Sequence, residues 1–185
     1  NSNGLTKYKV QTAATAGSSS QIFQGDMVIP LTNGLVDVSA ADGGSVAILG
    51  VMNGCEYIDL DGKPRFDNHY PGTASIKSGT EATVHVFDNP HQVYEIQADA
   101  TLTNAATAQA LVHSNAEGAG FGSENGSTGK SIGELSVASA GATTATDNFR
   151  IIGIKDDFNE IDVTSAGVIF LVKLNLPFHT ATTGL

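Results

Sequence analysis

Tryptophan is absent from this 185-residue chain, cysteine occurs once, and 9 Lys and Arg face 19 Asp and Glu. Each shortage excludes something. One Cys makes neither an internal disulfide nor a Cys-based zinc site. Nine scattered bases form no cluster that neutralises phosphates, and a formal charge of −10 opposes binding to nucleic acid or to an anionic membrane surface. No stretch approaches the ~18 consecutive apolar residues of a membrane-spanning helix. Charged residues are 15% of the chain, against roughly 25% in average globular proteins. Aromatics are 6%, thin material for a sugar-stacking platform. Alternating strand–helix units are missing, so a nucleotide-binding α/β sheet is not expected. No fixed-period repeat points to a solenoid or propeller.

Small residues are what the chain has in quantity: Ala, Gly, Thr and Ser fill 76 of its positions. Hydrophobic content of 41% still suffices for a folded core. Residues 1–20 read as an extended N-terminal arm, because Gln11–Ser20 (QTAATAGSSS) holds no large apolar group. Residues 21–178 read as one β-domain, and residues 179–185 as a C-terminal tail.

Within the domain, short apolar runs alternate with turn signals. Asn33-Gly34 and Asp61-Gly62 read as hairpin tips. Val46–Met52 reads as a strand buried on both faces, with Gly50 marking a bulge or a close backbone approach. Thr103–His113 is the one expected helix, capped by Thr103 or Asn104. Residues 114–130, rich in Gly, Ser and Asn, read as a long exposed loop. The expectation is an all-β fold: a compact barrel or sandwich of about ten short strands, with turns every 8–12 residues. Its expected core is Ile22, Val28, Val36, Val46, Ile48, Val51, Val84, Val86, Ile96, Ile152, Ile154, Ile169 and Leu171.

Candidate chemical motifs fall short one by one. Gly126–Ser131 reads like a phosphate loop, but Glu124 stands where the motif needs its first Gly. Asp59-Leu60-Asp61-Gly62 opens like a calcium loop, yet Lys63 and Tyr70 hold the next ligand slots. A calcium site of another type, from Asp59, Asp61 and Asp67, is the weaker reading beside a hairpin turn. His69, His85, His91, His113 and His179 show no i, i+2 or i+4 pair, although His85 and His91 bracket a turn. Gly-x-Ser-x-Gly is absent. Cys55 has Glu56 and Asp59 nearby, which disfavour a thiolate, so it reads as a small core residue. Asn125-Gly126-Ser127 has the form of a glycosylation acceptor. No catalytic, cofactor or metal residue is therefore expected.

Several phrases carry a family resemblance. Gln24-Gly25-Asp26-Met27-Val28, with Asn33-Gly34 and Leu35-Val36 after it, is similar to the segment before the first barrel strand of small capsid cement proteins of tailed bacteriophages. Gly50–Tyr57, Lys63–Phe66, Tyr70-Pro71-Gly72, Val86–Pro90 and Tyr94–Asp99 resemble virion structural proteins of marine phages. The resemblance covers roughly residues 20–100 and the final strand. It implies a head-decoration protein on the capsid exterior, bound to the major capsid protein and to neighbouring copies, with a trimer as one form. It implies no catalytic residues. The insertion at Ser114–Lys130 departs from the smaller cement proteins. A carbohydrate-binding or adhesion β-sandwich of a virion tail is the alternative, and its signature would be clustered exposed aromatics.

The arm is the expected contact region. Tyr8 and Val10 share one face of an extended strand, with Lys7 and Lys9 on the other. Leu5, Lys7, Tyr8, Lys9 and Val10 are therefore the candidate partner-binding residues, adding as a strand to an exposed sheet edge of a neighbour.

Overall fold

The computed structural model describes residues 4–11, 21–39, 46–123, 128–141, 143–155 and 167–181. Strands come first and in number: β1 (Leu5–Lys9), β2 (Ile22–Phe23), β3 (Met27–Pro30), β4 (Val36–Val38), β5 (Gly50–Ile58), β6 (Pro64–Asp67), β7 (His69–Tyr70), β8 (Thr83–Phe87) and β9 (Tyr94–Gln97). After helix α1 (Ala105–Ala110) come β10 (Asn115–Ala116), β11 (Gly118–Ala119), β12 (Glu134–Leu135), β13 (Phe149–Ile154) and β14 (Ile169–Leu174). The fold is all-β, as the composition and turn spacing imply. Among the described residues no helix is long and apolar enough to cross a membrane.

Two sheets carry the architecture. One runs β1-β8-β5-β3-β4, with β6 paired to the far half of β5. Its two ends meet at one point, where Val10 bridges Val36 and the Gln11 N–H donates to the Val36 carbonyl at 3.1 Å. The other runs β10-β13-β14-β9. Two-stranded pairs, β2–β7 and β11–β12, close the corners.

Turn chemistry sets the hairpins. Asn33 Oδ1 accepts from the Leu35 N–H at 3.0 Å, and Gly34 takes φ +79°, which a side chain would resist. At the β5–β6 tip, Asp59 Oδ1 accepts from the Lys63 N–H at 2.8 Å and Gly62 adopts φ +83°. Gly50 is a close backbone approach: a Cβ there would strike the Phe87 carbonyl. The helix is shorter than expected. Asn104 caps it by accepting from the Thr107 N–H at 2.9 Å, and it ends at Leu111.

The core forms two clusters. One gathers Val10, Ile22, Val28, Val36, Val84 and Val86 inside the first sheet; the other gathers Met27, Ile48, Ile151, Phe170 and Val172 under the second. Seven of the expected core residues are buried: Ile22, Val28, Val36, Ile48, Val84, Val86 and Ile96. Six are corrected. Val46 is 42% exposed. Val51 is only half-buried because β5 turns its neighbour Met52 inward. Ile152, Ile154, Ile169 and Leu171 are only half-buried because β13 and β14 turn Ile151, Phe170, Val172 and Leu174 inward instead. Side chains alternate faces, so a one-residue change of phase exchanges the whole buried set.

Three boundaries also move. Residues 4–11 are not an arm outside the domain: β1 pairs with β8 along its length. The stretch 114–130 is not all exposed loop, since it supplies β10 and β11 and buries Asn115, Ala116 and Gly118. His179 lies in the 3₁₀ turn Phe178–Thr180, where the Phe178 N–H donates to the Ile48 carbonyl at 2.8 Å. Residues 12–20, 124–127 and 182–185 lie outside the described residues, and with them most of the expected arm, the glycosylation acceptor and part of the phosphate-loop-like string.

Candidate docking surface

Alternation along β1 separates its expected contact residues into two sets. Thr6, Tyr8 and Val10 point inward; Val10 is 3% exposed and belongs to the core. Tyr8 is half-buried, and its hydroxyl donates to Asp88 Oδ2 at 2.7 Å. His179 Nε2 stands 3.4 Å from that carboxylate oxygen and so ties the C-terminal turn to both β1 and the end of β8. Burial first, and then the Asp88 hydrogen bond, raises the Tyr8 phenol above its ordinary value. Tyr8 and Val10 thus serve the chain's own packing, which corrects their expected place on an outer surface. The physical reason is that β8 offers these residues a ready-made apolar ladder, with Tyr8 opposite Val84.

Leu5, Lys7 and Lys9 form the outward set. Lys7 Nζ donates to Glu56 Oε1 at 2.5 Å, and His85 Nε2 lies 2.8 Å from the same oxygen. The Lys7 hydrogen bond, with help from His85, holds the Glu56 carboxyl below its usual range. Lys9 Nζ pairs with Glu81 at 2.7 Å, and both side chains are exposed. The backbone is more informative. Asp88 donates to the Gly4 carbonyl and Val10 to the Ala82 carbonyl, so even-numbered residues face β8. The N–H and C=O groups of Leu5, Lys7 and Lys9 then face the other way. Among the described residues no strand pairs with the outward groups of Leu5 and Lys7, and β1 is a sheet edge along that part; from Lys9 onward it meets β4 through the parallel Val10–Val36 bridge.

A second exposed feature is the β5–β6 hairpin. Leu60 at its tip is 67% exposed and Phe66 on β6 is 78% exposed. Phe66 pairs across from Glu56, which puts it on the outer face of the sheet. A shallow groove of about 500 Å³ runs between Phe66 and His85 over Gly54. Asp59 is consumed by the hairpin itself, taking Arg65 Nε at 2.7 Å besides the Lys63 N–H. Those two hydrogen bonds, the backbone one first, pull its carboxyl below the ordinary value. Asp67 sits at the opposite end of β6, across from Cys55, so the hairpin does not gather Asp59, Asp61 and Asp67. Among the described residues no three His, Cys, Asp or Glu are placed to hold a metal ion. Cys55 is 3% exposed, and its thiol donates to the His69 carbonyl. Burial, with the Asp67 and Glu56 charges behind it, pushes that thiol up to about 12.

A third feature was invisible in the sequence because seven separate segments build it. A pocket of about 160 Å³ lies where the two sheets meet, with Met27, Ile96, Phe149 and Val172 at its floor and Val51 and Phe121 on its walls. Asp26 fastens one wall from behind. Its Oδ2 accepts from the Phe23 N–H at 2.8 Å; its Oδ1 accepts from the Gly122 N–H at 3.0 Å and from the Ser131 hydroxyl at 2.5 Å. Asp26 is wholly buried, and burial raises its carboxyl above the ordinary value despite these three donors. Gly118 and Gly133 leave the room that the Phe121 ring occupies; a Cβ on either would collide with it. The sequence signal for Asp26 was a lone acid between two apolar runs, Ile22-Phe23 and Met27–Ile29.

No family model, curated protein or solved structure matches this chain.

Proposed function

We propose that the chain is a virion structural protein of a tailed phage: a capsid decoration protein that binds the outer surface of the major capsid protein lattice and reinforces capsomer junctions, without catalysis or cofactor. The sequence phrases around Gly25-Asp26, Gly50–Tyr57 and Tyr94–Asp99 motivate the family reading. The open edge of β1 is the observation that supports the mode of attachment. A partner strand laid along Leu5 and Lys7 satisfies their free backbone groups by strand addition. Lysines on an exposed edge discourage indiscriminate pairing, so the edge favours a partner whose facing side chains are acidic. The Lys9–Glu81 pair is fully on the surface, is worth little in water and is easily exchanged. A symmetric lattice multiplies such weak contacts into strong overall binding.

Lys7→Pro tests the mode of attachment. Proline removes one outward N–H, keeps the extended backbone and spares the β1–β8 hydrogen bonds. On capsids stripped of this protein, the variant should bind with sharply reduced occupancy while its own melting temperature changes little. Undiminished occupancy would move the interface away from β1. The decoration reading itself is tested by the protein's copy number per virion: hundreds of copies fit a shell protein, and a handful fits a tail component.

A further inference from the structure

We infer that the chain associates with a second copy of itself, the exposed Phe66 side chain of one copy entering the inter-sheet pocket of the other. Both halves of the contact stand on the same molecule. Phe66 is the one aromatic among the strongly exposed large apolar residues described, at 78%. The pocket of about 160 Å³ is the right size for a phenyl ring, since an apolar cavity of roughly 150 Å³ accommodates benzene.

The pocket's chemistry selects an apolar guest. Its two hydroxyls are already committed: Ser131 donates to Asp26, and Tyr94 donates to the Phe87 carbonyl at 2.9 Å. Water entering such a space would find few of the two to four polar partners it needs. Met27, Ile96, Phe149 and Val172 then offer contact on several sides of an inserted ring.

A chain cannot fill its own pocket. Phe66 sits opposite Glu56, whereas the pocket wall uses Val51, five residues back along β5. That separation is roughly 16 Å, beyond the reach of a phenylalanine side chain. Charge points the same way. Lys63 and Arg65 flank Phe66 on the hairpin, and Glu95 stands on the pocket rim. Arg65 is held by Asp59 and Glu95 by Lys155 at 2.6 Å, an exposed pair that exchanges easily, so Lys63 is the cation that can meet Glu95. An aromatic anchor in a desolvated pocket, ringed by polar groups, is the usual make-up of an interface hot spot. The contact is separate from the β1 edge and does not depend on a capsid being the surface that β1 meets.

The test is sedimentation of the full chain across the micromolar to millimolar range, for wild type, Phe66→Ser and the pocket-blocking Val51→Phe. Wild type should associate reversibly. Phe66→Ser should weaken association at least tenfold with an unchanged melting temperature, because the side chain it removes lies outside the core. Val51→Phe should weaken it likewise. A mixture of the two variants should recover a dimer, since one anchor and one open pocket survive in the pair. A monomeric wild type overturns the inference. So does a Phe66→Ser protein that associates like wild type, or a mixture that stays monomeric. If Val51→Phe fails to fold, an engineered Phe66→Cys, Glu95→Cys double variant decides: oxidation should give covalent multimers, and monomer alone would refute the contact.

Discussion

Replacing Asp26 by Asn probes how the chain tolerates a carboxylate in its interior. Two effects compete there. Three donors, from Phe23, Gly122 and Ser131, favour the anion, and removal from water favours the protonated acid. Burial prevails in this structure, and the carboxyl lies above its ordinary value. Asn keeps one acceptor oxygen but turns an NH₂ group toward one of the donors that the second oxygen served. One buried N–H or O–H is left unpaired, at a cost of about 1–3 kcal/mol. The pH dependence follows from linkage. Between the unfolded pKa of roughly 3.9 and the raised folded value, the unfolded chain has released its proton and the native chain has kept it. Wild-type stability from this group is therefore greatest below the unfolded pKa, and it is lost as pH rises through the folded value. The slope is at most about 1.4 kcal/mol per pH unit. Asp26→Asn does not titrate. Glu56 and Asp59, whose lowered carboxyls act in the opposite sense, are common to both proteins and cancel in the difference. Urea unfolding of both proteins at a series of pH values should show the penalty of Asp26→Asn growing as pH falls. A penalty that instead grows as pH rises would mean that the three donors outweigh burial, and would refute the reasoning.

Phe170→Ala should cost about 3–5 kcal/mol, while Ile169→Ala, on the half-buried face of β14, should cost markedly less; thermal melts of the pair decide which face is core. Val10→Ala should cost roughly 2 kcal/mol, and deletion of residues 1–10 should lower the melting temperature steeply, because β1 is part of the sheet. Cys55, with its thiol held near 12, should resist alkylation at pH 8 in the native protein and react promptly in denaturant, followed by mass spectrometry.

Local signals were legible where the chemistry is local. Asn33-Gly34 and Asp61-Gly62 make their turns from neighbouring atoms, and Gly50 betrays a steric demand that no side chain meets. Phase was not legible in β13 and β14. Phe149–Ile154 reads FRIIGI and Ile169–Leu174 reads IFLVKL, so apolar residues stand on both faces and period-two reasoning has two solutions. A register shift between Ile151 and Gly153 further breaks the alternation. β1 was legible as a strand but not as a member of this sheet, because its partner Phe87 lies 82 positions from Leu5 and only tertiary packing brings the two together. The docking surface divides along the same line. Leu5, Lys7 and Lys9 came from alternation on one strand, whereas the pocket exists only once β3, β5, β9, β13 and β14 converge.

The pocket carries an energetic consequence that substitution can expose. A sealed, empty cavity of about 160 Å³ would cost roughly 4 kcal/mol at 24 cal/mol per Å³, and a partly open one costs less. Space of that size makes an added methylene welcome there and unwelcome elsewhere. Val172 lies at the floor, fully buried, with the pocket in front of it. Val172→Ile should place its extra carbon in that space and stabilise the monomer by up to about 0.8 kcal/mol. Val84 is equally buried but lies inside the first cluster, where close packing leaves no such room. Val84→Ile should therefore cost about 1–3 kcal/mol through overpacking. Calorimetric melts of the two variants at low protein concentration, where copies are dissociated, should move in opposite directions. Loss of stability in both would mean that the pocket is closed to the Val172 side chain, and the room assigned to an incoming phenyl ring would shrink accordingly.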